Sequence, residues 1–326
     1  MNPFEVMSGK TVAVVGASGY IGSAIVDRLM ELPLDILRVS RQELPPRPGV
    51  RSLKADIRVL DCWLEIVEQA DFIFHLAGNT SAYDAGIDPS GSLSSTLLPI
   101  THLVSAAQQL RRKPRVVFAS TATVYGLTTK LPVAEIVEPM PITVYDLHKL
   151  FAEHQLALAT QQEILDGVSL RLSNVYGPCS GVSSASDRGV LNRIAARAIQ
   201  GQDLIVYGDG NYLRDYVYID DVVNAFFLAA ATSGLDGVVF NIASGVGTTI
   251  KQAFKLIADE VAKTTGVTTC ICTTPWPPNT EPIELRNFVA INERFVSATG
   301  WSASTSLAEG VRLLVSAYKR REKHGY

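Results

Sequence analysis

The chain has 326 residues, 47% of them hydrophobic and 19% charged, a balance that supports a large core and excludes collagen-like, low-complexity and disordered classes. Its 29 Lys and Arg against 32 Asp and Glu give a formal net charge of -3, so no global basic field favours nucleic acid or an anionic membrane, and any anionic ligand must be held locally. No apolar run reaches the roughly 18 residues of a membrane span, and residues 1–10 lack the basic flank and apolar stretch of a secretory leader, so a cytoplasmic protein is expected.

Residues 12–15 form a short apolar run that enters Gly16-Ala17-Ser18-Gly19-Tyr20-Ile21-Gly22, and residues 20–30 carry apolar side chains at helical spacing, which predicts strand, turn and helix. Glycines three apart at such a junction suit a pyrophosphate. Gly16 permits the tight turn, Gly19 lets backbone approach the ligand, and Gly22 lets the helix pack closely, with its N-terminus facing the anion. Ser18, Tyr20 and Ile21 fall in the same dinucleotide cradle. A second strand over 36–39 ends Val39-Ser40-Arg41. The acidic residue that would bond the ribose 2′-hydroxyl of NAD is absent there, whereas a hydroxyl and a guanidinium suit a 2′-phosphate, so NADP(H) is favoured over NAD(H).

Asp56-Ile57 follows a third short strand, where the carboxylate would accept from an adenine amino group and the isoleucine would cover the ring. A helix over 62–69 leads to a strand over 72–76, whose end, Leu76-Ala77-Gly78, would line the middle of the cofactor. A helix over 93–110 precedes a strand over 116–120 that runs into Ser120-Thr121-Ala122-Thr123-Val124-Tyr125-Gly126. Pro139 and Pro141 then forbid a helix, Thr143 can cap one and Asp146 completes a Thr-x-x-Asp pattern. A helix over 144–158 therefore carries Tyr145 and Lys149 on one face at i,i+4. A free phenol with pKa about 10 is a poor acid or base at neutral pH, and a neighbouring ammonium pulls it toward the useful range. His148 reads as a helix neighbour rather than a catalyst. With a further strand over 168–172, buried strands alternate with helices, which predicts an α/β fold with a doubly wound parallel sheet covered on both faces.

After Asn174 the alternation breaks into a Gly/Ser/Pro-rich loop over 177–189, a basic helix over 190–200 and turns around 208–210. A helix over 220–231 and a strand over 238–242 return to the sheet. The expected division is a dinucleotide-binding part of residues 1–173 plus about 215–245, interleaved with a smaller lobe of 174–214 and about 246–326. The tail predicts a loop from Pro275, a strand near 287–291 and a closing helix over 306–323. Cys62, Cys179, Cys270 and Cys272 are too scattered for a disulfide framework, and neither they nor the five histidines show metal-ligand spacing, so no metal is expected.

The glycine turn, Ser-Thr-Ala-Thr-Val-Tyr-Gly, Tyr-x-x-x-Lys, Arg171-Leu-Ser-Asn174-Val-Tyr-Gly-Pro178 and Gly208-Asp-Gly-Asn-Tyr-Leu-Arg214-Asp215-Tyr-Val-Tyr-Ile-Asp-Asp221 stand in an order and spacing that resembles the extended short-chain dehydrogenase/reductases, a Rossmann-fold family, that act on nucleotide sugars. The resemblance covers nearly the whole chain. It implies a catalytic triad of Thr121, Tyr145 and Lys149, with Ser120 and Thr123 as second choices for the hydroxyl and Lys149 also binding the nicotinamide ribose. It further implies substrate contacts at Thr123, Asn174, Tyr207, Arg214 and Arg286, where arginines would hold a diphosphate, and a homodimer built on the helices over 93–110 and 144–158.

Departures narrow the reaction. Family dehydratases carry Asp-Glu after the catalytic Thr, and Ala122-Thr123 stands here, which removes the acid–base pair that elimination of water uses. Thr96-Leu97 and Pro99 stand where the family places an asparagine. The motif around Thr121 resembles UDP-hexose 4-epimerases. Ser40-Arg41, Gly167-Val-Ser-Leu-Arg171, Asp187-Arg-Gly-Val190 and Glu284-Leu-Arg-Asn-Phe288 resemble NADPH-dependent 4-ketoreductases of deoxysugars. The expectation is reduction of a nucleotide-linked 4-keto-6-deoxyhexose, with 4-epimerisation as the alternative and a non-catalytic dinucleotide sensor as a remote one, disfavoured because Thr121, Tyr145 and Lys149 are all kept.

Overall fold

The computed structural model describes residues 3–179 and 189–324. Its centre is a seven-stranded sheet in the order β10-β6-β5-β4-β1-β2-β3, with every neighbouring pair parallel. The strands are β1 (Thr11–Val15), β2 (Asp35–Ser40), β3 (Val50–Lys54), β4 (Phe72–His75), β5 (Arg115–Thr121), β6 (Asp166–Leu172) and β10 (Val238–Ile242). The apolar runs of β1, β4, β5 and β6 are buried because helices cover both faces, as a parallel sheet requires, whereas the edge strand β3 is largely exposed. Helices α3 (Leu60–Gln69), α5 (Pro89–Leu110) and α6 (Val144–Gln161) pack on one side, and α1 (Pro3–Met7), α2 (Tyr20–Leu29) and α8 (Ile219–Ala231) on the other. From β1 the chain winds outward to β2 and β3, then crosses back to β4. That reversal opens a crevice at the carboxyl ends of β1 and β4, the place where such sheets bind ligands.

A second group of elements lies beyond β6. Strands β7 (Asn174–Tyr176), β9 (Leu213–Tyr218) and β11 (Gly247–Thr249) form one small sheet, and β8 (Leu204–Tyr207) pairs with β12 (Ile271–Thr274) in another. Helices α7 (Val190–Ile199), α9 (Ile250–Thr265) and α11 (Leu307–His324) pack together beside them, while the short helices α4 (Ala82–Ile87) and α10 (Glu293–Thr299) pack against the main-sheet part, α4 on α5 and α6 and α10 on β10. Two buried polar links tie this group to the main sheet. Tyr20 Oη donates to the Gly177 carbonyl at 2.7 Å, and the Asp221 carboxylate accepts from Ser304 and Thr305 while Trp301 Nε1 donates to the Asp221 carbonyl.

Two differences from the sequence reading have local causes. The segment near 287–291 is not a strand, because its pairing is split between Val133, through a single bridge to Ala290, and one backbone bond from the Phe288 amide to the Leu213 carbonyl, and neither extends into a ladder. Helix α9 has no counterpart among the predicted elements, although Thr249 and Gln252 form a reciprocal capping box and Gly266 closes the helix in the left-handed region. Among the described residues no helix is long and apolar enough to cross a membrane.

His75 ends β4 fully buried, stacked on Trp63 with ring centroids 5.4 Å apart and edge-on to Phe118. Neither ring nitrogen has a hydrogen-bond partner. Burial, reinforced by the charge of Lys149, holds its pKa down to about 3. The unfolded chain therefore binds a proton here that the folded chain refuses, and stability falls as pH drops below the unfolded value of about 6.5. We expect His75→Phe, which keeps the ring stack, to remove about 2 kcal/mol from the stability lost between pH 7 and pH 5, read by urea unfolding at the two pH values. An undiminished loss in the variant would refute the assignment.

Candidate active site

The glycine turn closes on itself. Gly16 adopts φ +91°, and a Cβ on it would lie 2.8 Å from the Ala77 nitrogen. A Cβ on Gly22 would lie 2.2 Å from the Gly16 carbonyl oxygen, so the third glycine packs against the turn itself. Helix α2 begins at Tyr20 after Gly19, and no side chain caps it. Its first amides, at Tyr20, Ile21 and Gly22, line an open cavity of about 520 Å³, where unpaired N–H groups and the helix dipole favour an anion. The Tyr20 side chain is not available to a ligand, since its hydroxyl is spent on Gly177 and burial raises its pKa.

A second cavity of about 500 Å³ shares Gly16, Gly19, Leu76 and Thr80 with the first. Ser18, Ser40, Arg41, Asp56, Ile57, Ala77 and Gly78 line it. Ser40 is buried and donates to Ser18 Oγ at 3.2 Å, while Arg41 is exposed. Asp56 is not a free acceptor. Arg58 Nε reaches its two carboxylate oxygens at 2.9 and 3.0 Å, and this guanidinium holds the Asp56 pKa down to about 2. The paired cavities and the glycine cradle fit a dinucleotide, with the diphosphate at the amino end of α2.

Thr121, Tyr145 and Lys149 meet on the first cavity. Thr121 ends β5, and Tyr145 and Lys149 lie on the first turns of α6, which Thr143 caps by accepting from the Asp146 amide at 3.2 Å. Lys149 is buried, donates to the Ala119 carbonyl at 2.8 Å and lies over the Phe118 ring. A Cβ on Gly78 would stand 3.6 Å from Lys149 Nζ, an ordinary contact distance, which puts this glycine beside the ammonium. Thr96, where the family pattern has asparagine, is buried and accepts from the Asn79 amide at 3.2 Å. Ser120, a second choice for the hydroxyl, donates instead to Glu153, whose carboxylate forms a buried ion pair with Arg171 at 2.7 Å. His148 Nδ1 meets Ser92 Oγ at 2.9 Å and links α6 to α5.

At the far end of the cavity stand Asn174, Arg214 and Arg286. Asn174 Nδ2 donates to the Asp215 carbonyl at 3.0 Å. The Arg214 guanidinium donates to the carbonyls of Leu213, Glu284 and Arg286. Arg286 Nη1 donates to the Ile283 carbonyl at 2.8 Å, and its Nε is buried with no partner. Burial and the neighbouring Arg214 charge pull the Arg286 pKa down to about 10. Two cations in one pocket wall, one with an unused donor, suit a dianion. Tyr207 is not brought to this wall. It ends β8 on the surface, stacked on Trp276 with ring centroids 5.3 Å apart, because β8 pairs with β12 rather than facing the cleft.

The structure adds two residues to the site. Tyr216 lines the cavity with a buried hydroxyl that has no partner, and burial pushes its pKa up to about 12. Asp146, read from sequence only as part of a cap, also lines the cavity and accepts from both Thr123 and Thr143. Thr123, expected to touch substrate, is thus engaged with Asp146 and Thr121. Residues 187 and 188 of the Asp187-Arg-Gly-Val190 motif lie outside the described residues. No group of three or more potential metal ligands occurs among the described residues.

Residues 12–243 match the model of the NAD dependent epimerase/dehydratase family. A UDP-glucose 4-epimerase of Mycolicibacterium smegmatis is 29% identical over 323 residues, covering 95% of this chain and 99% of its own. The UDP-glucose 4-epimerase of Thermotoga maritima, solved with UDP-glucose, is 28% identical with a TM-score of 0.86, covering 96% of this chain and 99% of its own. RMD from Pseudomonas aeruginosa, solved with NADPH, is 26% identical with a TM-score of 0.78, covering 96% and 100%. The order of motifs, the parallel sheet and the extent of the family match lead to one conclusion: this chain is an enzyme of the NAD dependent epimerase/dehydratase family, an extended short-chain dehydrogenase/reductase.

Proposed function

We propose that the protein is a 4-epimerase of a nucleotide-linked hexose, with UDP-glucose and UDP-galactose as the pair to test. The observation that carries this reading is the single cavity on which Thr121, Tyr145 and Lys149 meet Arg214 and Arg286, in a chain whose similarity to a UDP-glucose 4-epimerase runs nearly end to end. That similarity favours the epimerase alternative over the 4-ketoreductase first expected. A resident dinucleotide would lie along the two cavities, with its diphosphate on the amides of Tyr20, Ile21 and Gly22, its adenosine between Ser40, Arg41 and Ile57, and its nicotinamide ribose at Lys149. When bound, it supplies a reversible hydride acceptor at the sugar C4.

The chain's own residues do the rest. Arg214 and Arg286 fix the substrate diphosphate, with Asn174 and Tyr216 as further polar contacts. Tyr145 takes the proton from the C4 hydroxyl and returns it, and Lys149 stabilises the phenolate that this requires. Thr121 orients the C4 oxygen. Incubating the protein with UDP-galactose and separating the products by chromatography is expected to give UDP-glucose in net amount without added reductant. Failure to invert C4 of any nucleotide hexose overturns the reading.

Ser40 and Arg41 keep a second reading of the cofactor open, because they suit a 2′-phosphate. On that reading Arg41→Ala weakens NADPH about tenfold more than NADH in equilibrium titrations. Equal losses would remove the 2′-phosphate assignment and leave NAD(H) as the resident cofactor. The placement of β10 in the main sheet supports a division into residues 1–173 with about 215–245 and a substrate lobe of 174–214 with about 246–326. A homodimer is supported by the exposed apolar residues Leu147, Phe151 and Leu158 along α6 and Leu93 on α5.

A further inference from the structure

We propose that Tyr20 is a positioning residue with two ends: its amide faces the dinucleotide and its hydroxyl holds the substrate wall in place, so that each ligand tightens the other. The proposal rests on the placement of the two ligands given above. Tyr20 is the first residue of α2, and its buried hydroxyl donates to the Gly177 carbonyl at 2.7 Å. Asn192, buried on α7, completes the clasp. Its Nδ2 donates to the same carbonyl at 2.8 Å, and its Oδ1 accepts from the Gly177 amide at 3.0 Å. Both lone pairs of the carbonyl and the amide proton are then used, and the phenol, whose pKa burial raises, stays a donor. Cys179 Sγ lies 2.9 Å from Ser23 Oγ, one turn along α2, which is a second contact between the same two segments.

What Gly177 holds is the wall that carries the cations. It directly follows β7, whose Asn174 lines the first cavity. Strand β7 pairs with β9, Asn174 opposite Tyr216, and β9 brings Arg214 and Tyr216 to the same cavity. A Cβ on Gly177 would stand 2.7 Å from Ile219 Cγ2 and 2.9 Å from Tyr218 Cε2, so this peptide is pressed against the end of β9 as well. Through Asn192 it also holds α7, which brings Arg193 to the cavity. A dinucleotide seated on the Tyr20 amide fixes the residue from which the phenol extends. A nucleotide sugar seated on Arg214 then has less of its wall left to order. By linkage the effect on binding is equal in both directions.

Two titrations test the clasp without turnover. UDP is titrated calorimetrically into the full chain alone and into the chain saturated with NADH, or with NADPH should that bind tighter. In the wild type the dinucleotide is expected to tighten UDP about tenfold, within the usual span of coupled sites. Tyr20→Phe keeps the ring and leaves the Gly177 carbonyl its bond from Asn192, so packing is spared. The coupling is expected to fall below about twofold, a loss on the scale of one buried hydrogen bond. Asn192→Ala is expected to remove it too, with no further loss in the double variant, because both substitutions cut one clasp. A merely structural contribution would weaken UDP alike with and without dinucleotide and keep the ratio. A ratio unchanged in Tyr20→Phe, or a wild-type ratio near one, overturns the proposal. Should the wild type invert C4 of UDP-galactose and show no coupling, the clasp falls and the epimerase reading stands. Should the coupling be lost in Tyr20→Phe while the wild type leaves UDP-galactose uninverted, the epimerase reading falls and the clasp stands.

Discussion

Tyr145→Phe is expected to lower kcat by about 10³ while changing nucleotide-sugar affinity less than about threefold. The substitution removes one hydroxyl and keeps the ring that lines the cavity, so binding and packing are spared. What is lost is the group that, in the proposed mechanism, takes and returns the C4 proton. Three features make this phenol the right one. The Thr143 cap fixes the start of α6, so Tyr145 projects from a rigid first turn. Lys149 is anchored one turn on by its bond to the Ala119 carbonyl, so its charge stays beside the site. Thr121, at the end of β5, lines the same cavity. Steady-state kinetics together with calorimetric binding separates the two effects, and near wild-type turnover in the variant would disprove the proton-transfer role.

The second large effect is expected at the glycine turn. In Gly22→Ala the added methyl would stand 2.2 Å from the Gly16 carbonyl oxygen and 3.1 Å from Ala17 Cα, and both are backbone atoms that cannot rotate aside. The turn must open, which moves the amides of Tyr20 and Ile21 off the diphosphate position. We expect dinucleotide affinity to fall more than about 100-fold and stability by about 2–4 kcal/mol, the range of overpacking at a rigid site plus lost local hydrogen bonds. Fluorescence titration with the dinucleotide and urea unfolding read the two losses. Gly86→Ala is the matched control. Its nearest neighbour would be the Glu281 side chain at 3.9 Å, in an exposed helix where alanine is favoured by about 0.5–1 kcal/mol. Equal behaviour of the two variants would contradict the steric account.

Much of this site is legible in the sequence because local chemistry places it. The apolar runs of β1, β4, β5 and β6, the glycines at 16, 19 and 22, and the prolines and threonine before Tyr145 each dictate their own neighbourhood, and the parallel sheet then brings their carboxyl ends together. Arg214 and Arg286 are legible through the family pattern, although their contact depends on a chain separation of 72 residues. The rest is set by long-range pairing. Tyr207 faces Trp276 because Leu204 pairs with Ile271, a register no local pattern announces. Asp56 carries a partner two residues away, Arg58, and the pairing is visible only once the turn has a shape. Asp146 reads as a cap residue from its spacing, and its contact with Thr123 requires α6 to dock beside the end of β5. Tyr216 alternates with Asp215 along β9, so burial of its hydroxyl in the cavity is a property of the assembled lobe.

The central claim is that the sugar is oxidised and reduced at C4 within one site, with the same hydride returned to the carbon it left. UDP-galactose carrying deuterium at C4 tests it most directly, with the recovered UDP-glucose read by proton NMR and mass spectrometry. The account predicts inversion at C4 with the deuterium still on that carbon. Inversion accompanied by exchange of the label into water, or recovery of unaltered UDP-galactose, would contradict it.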